Sequence, residues 1–181
     1  HEFIVPSQTV IATASALVRV WAKPVLADID LKTLSPSISD LEKVRTPQTK
    51  AVVMVHLGGL ISPAWDEIKT WCQSQGLLLL EDAAHAQGSS FQGKSAGLLG
   101  DGSAFSFHLT KTLTMGEGGV CVASSAAIFD KMISLRQFGK NKQDSLLHDS
   151  WGGNHKLTEM QGALGLIELS RSQERIKLRQ D

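Results

Sequence analysis

Leu77-Leu-Leu-Leu-Glu-Asp-Ala-Ala-His85 opens on four apolar residues in a row and then turns abruptly acidic. The apolar part is too short for a helix and is set off by Gly76 from a helical stretch over residues 63–75, so residues 77–81 read as a strand covered on both faces. Strands of that kind belong to parallel sheets sandwiched between helices. The same reading extends outward to residues 3–5, 24–29, 51–56, 104–107 and 119–123. Helical patterns fall between them. Residues 9–21 carry an alanine-rich stripe, residues 37–44 begin with a serine cap, and residues 63–75 start with a proline in the first turn. Residues 124–138 and 157–179 complete the set. This alternation predicts an α/β fold, a three-layer sandwich with a mostly parallel sheet, in which ligands bind beyond the carboxyl ends of the strands. Asp82 falls at such an end.

Composition sets the outer bounds. The 181 residues are 42% hydrophobic and 20% charged, the profile of an ordinary globular domain, and a single domain spanning 1–181 is expected. Eighteen Lys plus Arg balance eighteen Asp plus Glu. A broad electrostatic footprint for nucleic acid or an anionic membrane is therefore absent, and any anion must be bound locally. No apolar run approaches the roughly 20 residues of a membrane span, and His1-Glu-Phe-Ile-Val-Pro6 lacks the basic and apolar regions of a signal peptide, so a cytoplasmic location is expected. Cys72 and Cys121 lie in apolar surroundings without CxxC spacing and read as buried small hydrophobes. The chain opens on a strand and closes inside an amphipathic helix, which suggests a piece of a longer protein.

Chemistry gathers in two places. A carboxylate at Asp82 can pair with a ring nitrogen and keep it protonated, which turns a pyridine ring into an electron sink; alone, it reads as a helix or turn cap. The second place is Phe105-Ser-Phe-His-Leu-Thr-Lys-Thr-Leu-Thr-Met-Gly-Glu-Gly-Gly119. Lys111 follows a buried-looking strand and precedes a glycine-rich turn, and a lysine amine condenses with an aldehyde once burial or a neighbouring cation helps it lose its proton. Ser106 can offer a hydroxyl to a phosphate. Together these residues read as a site for pyridoxal 5'-phosphate. His85 can donate to a phenolic oxygen or pack on a ring, while His56 and His108 have weaker cases. Gly116-Glu-Gly-Gly119 fits neither a P-loop nor a dinucleotide fingerprint and reads as a tight turn feeding the next strand.

These residues together resemble the DegT/StrS-type sugar aminotransferases, pyridoxal phosphate enzymes of fold type I. The likeness runs in order through Ile4-Val-Pro-Ser7, Ala12-Thr-Ala14, Lys23-Pro-Val25, Asp28-Ile-Asp30, Val55-His-Leu57, Glu81-Asp-Ala-Ala-His85, Gly100-Asp101, Phe105-Ser-Phe107, Lys111 and Gly116 to Gly119, and resumes at Gly152-Gly-Asn-His-Lys-Leu-Thr-Glu-Met-Gln161. The resemblance implies that Lys111 forms the Schiff base and shuttles protons and that Asp82 partners the pyridine nitrogen. It places His85 near the ring oxygen and Ser106 on the phosphate. Asn154 matches an asparagine that reaches the neighbouring subunit's phosphate, which implies a homodimer; on its own, Asn154 reads as a left-handed turn residue.

Departures accompany the likeness. The family's early phosphate-binding helix start and its carboxyl-terminal small domain are expected before His1 and after the last helix. Gln8 and Val10 stand where an aromatic side chain often covers the ring, and Lys156 stands where an arginine is frequent. The implied activity is transfer of an amino group from glutamate or glutamine to a keto sugar or keto-cyclitol. An alternative is a catalytically silent piece of that family acting as a folded dimerising or cofactor-binding module. The family's dehydratase branch is disfavoured, because it replaces the lysine.

Overall fold

Apolar strands separated by helices pair in parallel through crossover connections. The computed structural model describes residues 1–180, and the chain divides into two compact units, His1–Phe105 and a second that begins at Ser106. The first unit contains β1 (Glu2–Pro6), α1 (Ile11–Val18), β2 (Lys23–Ala27), α2 (Ile38–Val44), β3 (Thr49–Val55), α3 (Trp65–Ser74) and β4 (Leu78–Asp82). A two-stranded hairpin of β5 (Ser90–Phe91) and β6 (Lys94–Ser95) follows, then β7 (Gly102–Ser106), whose last residue belongs to the second unit. The strand order β2-β1-β3-β4-β7 is parallel throughout.

The two faces of this sheet are covered separately. Ile4, Val52, Met54 and Leu79 point to one side and pack with Leu41 of α2 and with Trp65, Ile68, Trp71 and Cys72 of α3. Val5 and Val53 point to the other, against Leu17 of α1. That is the expected three-layer arrangement, and each fully buried side chain of this size contributes roughly 1.5–3 kcal/mol. Ser37 caps α2 in a capping box with Asp40, whose carboxyl is held down at about 2 by hydrogen bonds from Lys43 and Ser37.

Several boundaries differ from the sequence reading. Helix α1 is shorter than residues 9–21, because Trp21 adopts a left-handed conformation at φ 60° and turns the chain. Strand β2 stops at Ala27, ahead of a turn in which the Asp30 carboxylate accepts from the N–H groups of Lys32 and Thr33. Helix α3 starts at Trp65 with Ala64 as its cap, so Pro63 lies before the helix rather than in its first turn. The β5–β6 hairpin went unread; its strands are two residues long and its turn carries Gln92 and Gly93 at positive φ.

The second unit contains β8 (Gly119–Ala123), α4 (Ala126–Arg136), α5 (Glu159–Ser170) and α6 (Ser172–Gln180). The single helix expected over residues 157–179 is broken at Arg171, whose φ of −103° and ψ of 11° end α5. Thr158 and Gln161 form the capping box that starts it. Cys72 is buried, and burial pushes its thiol up to about 12. Cys121 is exposed, contrary to expectation: the apolar composition of β8 does not cover it, and Gly119, Val120 and Cys121 all face solvent. Among the described residues no helix is long and apolar enough to cross a membrane.

Candidate active site

Consecutive residues on a strand point to opposite faces, and Glu81 and Asp82 at the carboxyl end of β4 have correspondingly different fates. Glu81 is 2% exposed and points into the protein. One of its oxygens accepts from the N–H groups of Leu99 (2.8 Å) and Gly100 (2.7 Å), the other from Gly97 N–H (2.7 Å) and lies 2.9 Å from His56 Nε2. Burial works against its charge, but these hydrogen bonds outweigh it and hold the carboxyl below the ordinary range. Gly100 is required here. A Cβ at that position would lie 2.5 Å from the Leu79 carbonyl oxygen.

Asp82 is half-buried. Its Oδ2 accepts from the Thr13 hydroxyl at 2.7 Å and its Oδ1 from Ala84 N–H at 3.2 Å, while the Thr9 hydroxyl lies 2.8 Å from that of Thr13. The carboxylate is thus fixed in orientation at a strand's carboxyl end, as the sequence predicts. His56 is 1% exposed and packs at 5.3 Å from the Trp65 ring, so it is a satisfied core histidine rather than a ligand. His85 accepts from Gly58 N–H through Nδ1 at 3.3 Å, which leaves the proton of a neutral ring on Nε2.

In the second unit, the segment carrying Lys111 is tied at its base. Phe107 N–H donates to the Gly118 carbonyl (2.8 Å) and Met115 N–H to the Phe107 carbonyl (2.9 Å), so residues 107–118 form a closed loop. Lys111 N–H donates back to the His108 carbonyl at 2.9 Å, and the side chain is half-buried. Among the described residues no hydrogen bond or ion pair engages the Lys111 ammonium. Ser106 Oγ accepts from His108 N–H at 3.2 Å, and His108 Nδ1 lies 2.9 Å from the Thr110 hydroxyl. Gly116 and Gly118 adopt positive φ at the turn that feeds β8, as expected.

Asn154 is exposed and forms an isolated antiparallel bridge with Gln137. It is not a left-handed turn residue; that conformation falls to Phe138 and Gly139 instead, at φ 63° and 79°. The Lys156 ammonium sits 4.9 Å over the Phe138 ring.

The sequence signature of the DegT/DnrJ/EryC1/StrS aminotransferase family matches residues 1–181. The chain belongs to this family. It is 36% identical over 180 residues to GDP-perosamine synthase of Vibrio cholerae, an alignment that covers 99% of this chain and 49% of that protein. Identity is also 36% over 188 residues to L-glutamine:2-deoxy-scyllo-inosose aminotransferase of Streptoalloteichus tenebrarius, covering 98% of this chain and 44% of that one. Among solved structures, Spr1654 of Streptococcus pneumoniae in its PLP form matches with a TM-score of 0.84 and 26% identity over 96% of this chain and 49% of its own. The chain therefore spans about half the length of the curated relatives it matches.

Pyridoxal phosphate is the cofactor this family membership brings. The residues fit it by their chemistry: an acceptor-only carboxylate held in place at Asp82, an unengaged amine at Lys111, and a hydroxyl at Ser106. Sequence reading passed over two groups. Thr13 was absorbed into an alanine-rich helical stripe, and Glu81 was read only as half of an acidic pair. Strand periodicity was the signal available for the second, since Glu81 shares its face with buried Leu79.

Proposed function

We propose that this chain is the cofactor-binding, large-domain part of an aminotransferase that moves an amino group from glutamate or glutamine to a keto sugar or keto-cyclitol. The relatives named for perosamine and for inosose amination support both acceptor types. The observation that carries the reading is Asp82, whose carboxylate is built into the end of β4 with its acceptor character preserved by two donors.

Pyridoxal phosphate, when bound, supplies an electron sink that makes the Cα–H bond of the amino donor acidic. Asp82 holds negative charge beside the ring nitrogen. Lys111 would hold the cofactor through its side-chain amine, and its Nζ would take and return the Cα proton of the donor. Ser106 would offer its hydroxyl to the phosphate, and His85 would donate from Nε2 toward the phenolic oxygen. Asn154 serves the phosphate of a second copy.

The test is chemical labelling. Purified protein with added pyridoxal phosphate should develop an absorption band that borohydride removes, and peptide mapping should place the reduced adduct on Lys111. A label on another lysine, or none on the folded protein, overturns the assignment.

A homodimer is part of this reading. Met160, Leu164 and Ile167 of α5, spaced i, i+4 and i+7, are exposed along one helical face that association would cover at roughly 25 cal/mol per Å². Light scattering at micromolar concentration should return twice the 19.5 kDa chain mass. A clean monomer that still binds the cofactor tightly would remove the shared-site part of the proposal.

A further inference from the structure

Proton counting around Asp82 gives a direction to the hydroxyl pair behind it. An ionised carboxylate only accepts, and a threonine hydroxyl carries one proton. Thr13 spends that proton on Asp82 Oδ2 at 2.7 Å. At the 2.8 Å contact between Thr9 and Thr13, Thr13 is therefore the acceptor and Thr9 the donor. The chain of bonds runs one way, Thr9 to Thr13 to Asp82, and each bond polarises the next. Both threonines are half-buried, in a setting where a hydrogen bond to a charged group is stronger than in open water.

The relay is built from the amino end of α1. Thr9 lies just before the cap of α1 and Thr13 in its first turn, and their hydroxyls meet at 2.8 Å. Val10 at the cap position has no polar side chain, and the Thr13 hydroxyl is given to Asp82.

We propose that Thr13, backed by Thr9, is a positioning residue that fixes which of the Asp82 oxygens faces a ligand. Oδ2 is engaged by the hydroxyl relay, while Oδ1 carries only the longer bond from Ala84 N–H at 3.2 Å. Oδ1 is thus the oxygen offered to a cationic N–H partner. This rests on the proposed function in naming a protonated ring nitrogen as that partner, but the Thr13–Asp82 coupling exists without it.

Two measurements test it separately. The first uses the cofactor-free protein: unfolding in urea of Thr13→Val, Asp82→Ala and the double variant. The pair should be coupled, with the double variant's unfolding constant differing about 10-fold from the product of the single effects, as for a hydrogen bond to a charge. Additive effects overturn the relay. The second uses protein loaded with pyridoxal phosphate and glutamate as donor. Thr13→Val should lower the half-reaction rate constant roughly 10- to 100-fold with the glutamate KM little changed, whereas Thr13→Ser, which keeps the hydroxyl, should stay within about 3-fold of the parent. Equal rates for valine and serine overturn the positioning role. If Lys111 takes no label while the urea cycle is coupled, the proposed function fails and the relay stands.

Discussion

Asp82→Asn should slow the half-reaction with an amino donor by roughly 10²- to 10³-fold, about 3–4 kcal/mol in the barrier, while leaving the Lys111 adduct able to form. The substitution is nearly isosteric and the carboxamide keeps one acceptor oxygen, enough for either Ala84 N–H or the Thr13 hydroxyl but not both. What disappears is the negative charge. Without it nothing at the end of β4 favours a proton on the ring nitrogen, and the electron sink weakens just where charge develops. The effect should therefore fall on the rate constant of proton abstraction and not on cofactor capture. Stopped-flow absorbance on protein preloaded with pyridoxal phosphate reads the two separately. Equal half-reaction rates in variant and parent would falsify the assigned role of Asp82.

Much of the frame that holds Asp82 is legible in the residues. Leu77 to Leu80 read as a strand, found at Leu78–Asp82, and a parallel sheet places the acidic pair at a ligand-binding edge; cover on both faces is incomplete, since Leu78 is 48% exposed. Lys111 and Ser106 are not legible alone, because serine and lysine near a loop are usually solvated surface groups; only their company with the acidic pair that follows residues 77–80, and the family resemblance, single them out. The bonds that hold the site are less legible. Thr13 touches Asp82 across 69 positions of sequence, and no local pattern reports such a contact. The break at Arg171 went unread because residues 157–179 contain neither proline nor glycine near it; what ends α5 is a backbone departure beside the Arg171–Glu174 and Arg175–Glu168 pairs. Cys121 failed for a different reason. Apolar composition predicts that a strand prefers cover, not that cover is present.

Glu81 carries the largest expected stability effect. Its carboxylate fills the acceptor positions for three backbone N–H groups of residues 97–100 and for His56 while being 2% exposed. Glu81→Ala leaves those donors buried and unmatched, a loss of about 3–5 kcal/mol, which is a large share of the roughly 5–15 kcal/mol available to a domain. Glu81→Gln should do little better, because its amide places a donor against N–H groups that need an acceptor. The pH dependence has a definite sign. The folded-state value lies below the ordinary 4.5, so the stabilising contribution is complete above that value and is lost as pH falls through the lower, folded one. Thermal melts of the parent should therefore lose stability as pH drops below about 4.5, and the Glu81→Ala variant, already without the interaction, should show a shallower acid limb. Parallel limbs in parent and variant would remove Glu81 as the source of that acid sensitivity, and a variant as stable as the parent at neutral pH would remove it as the clamp that seats residues 97–100 against the end of β4.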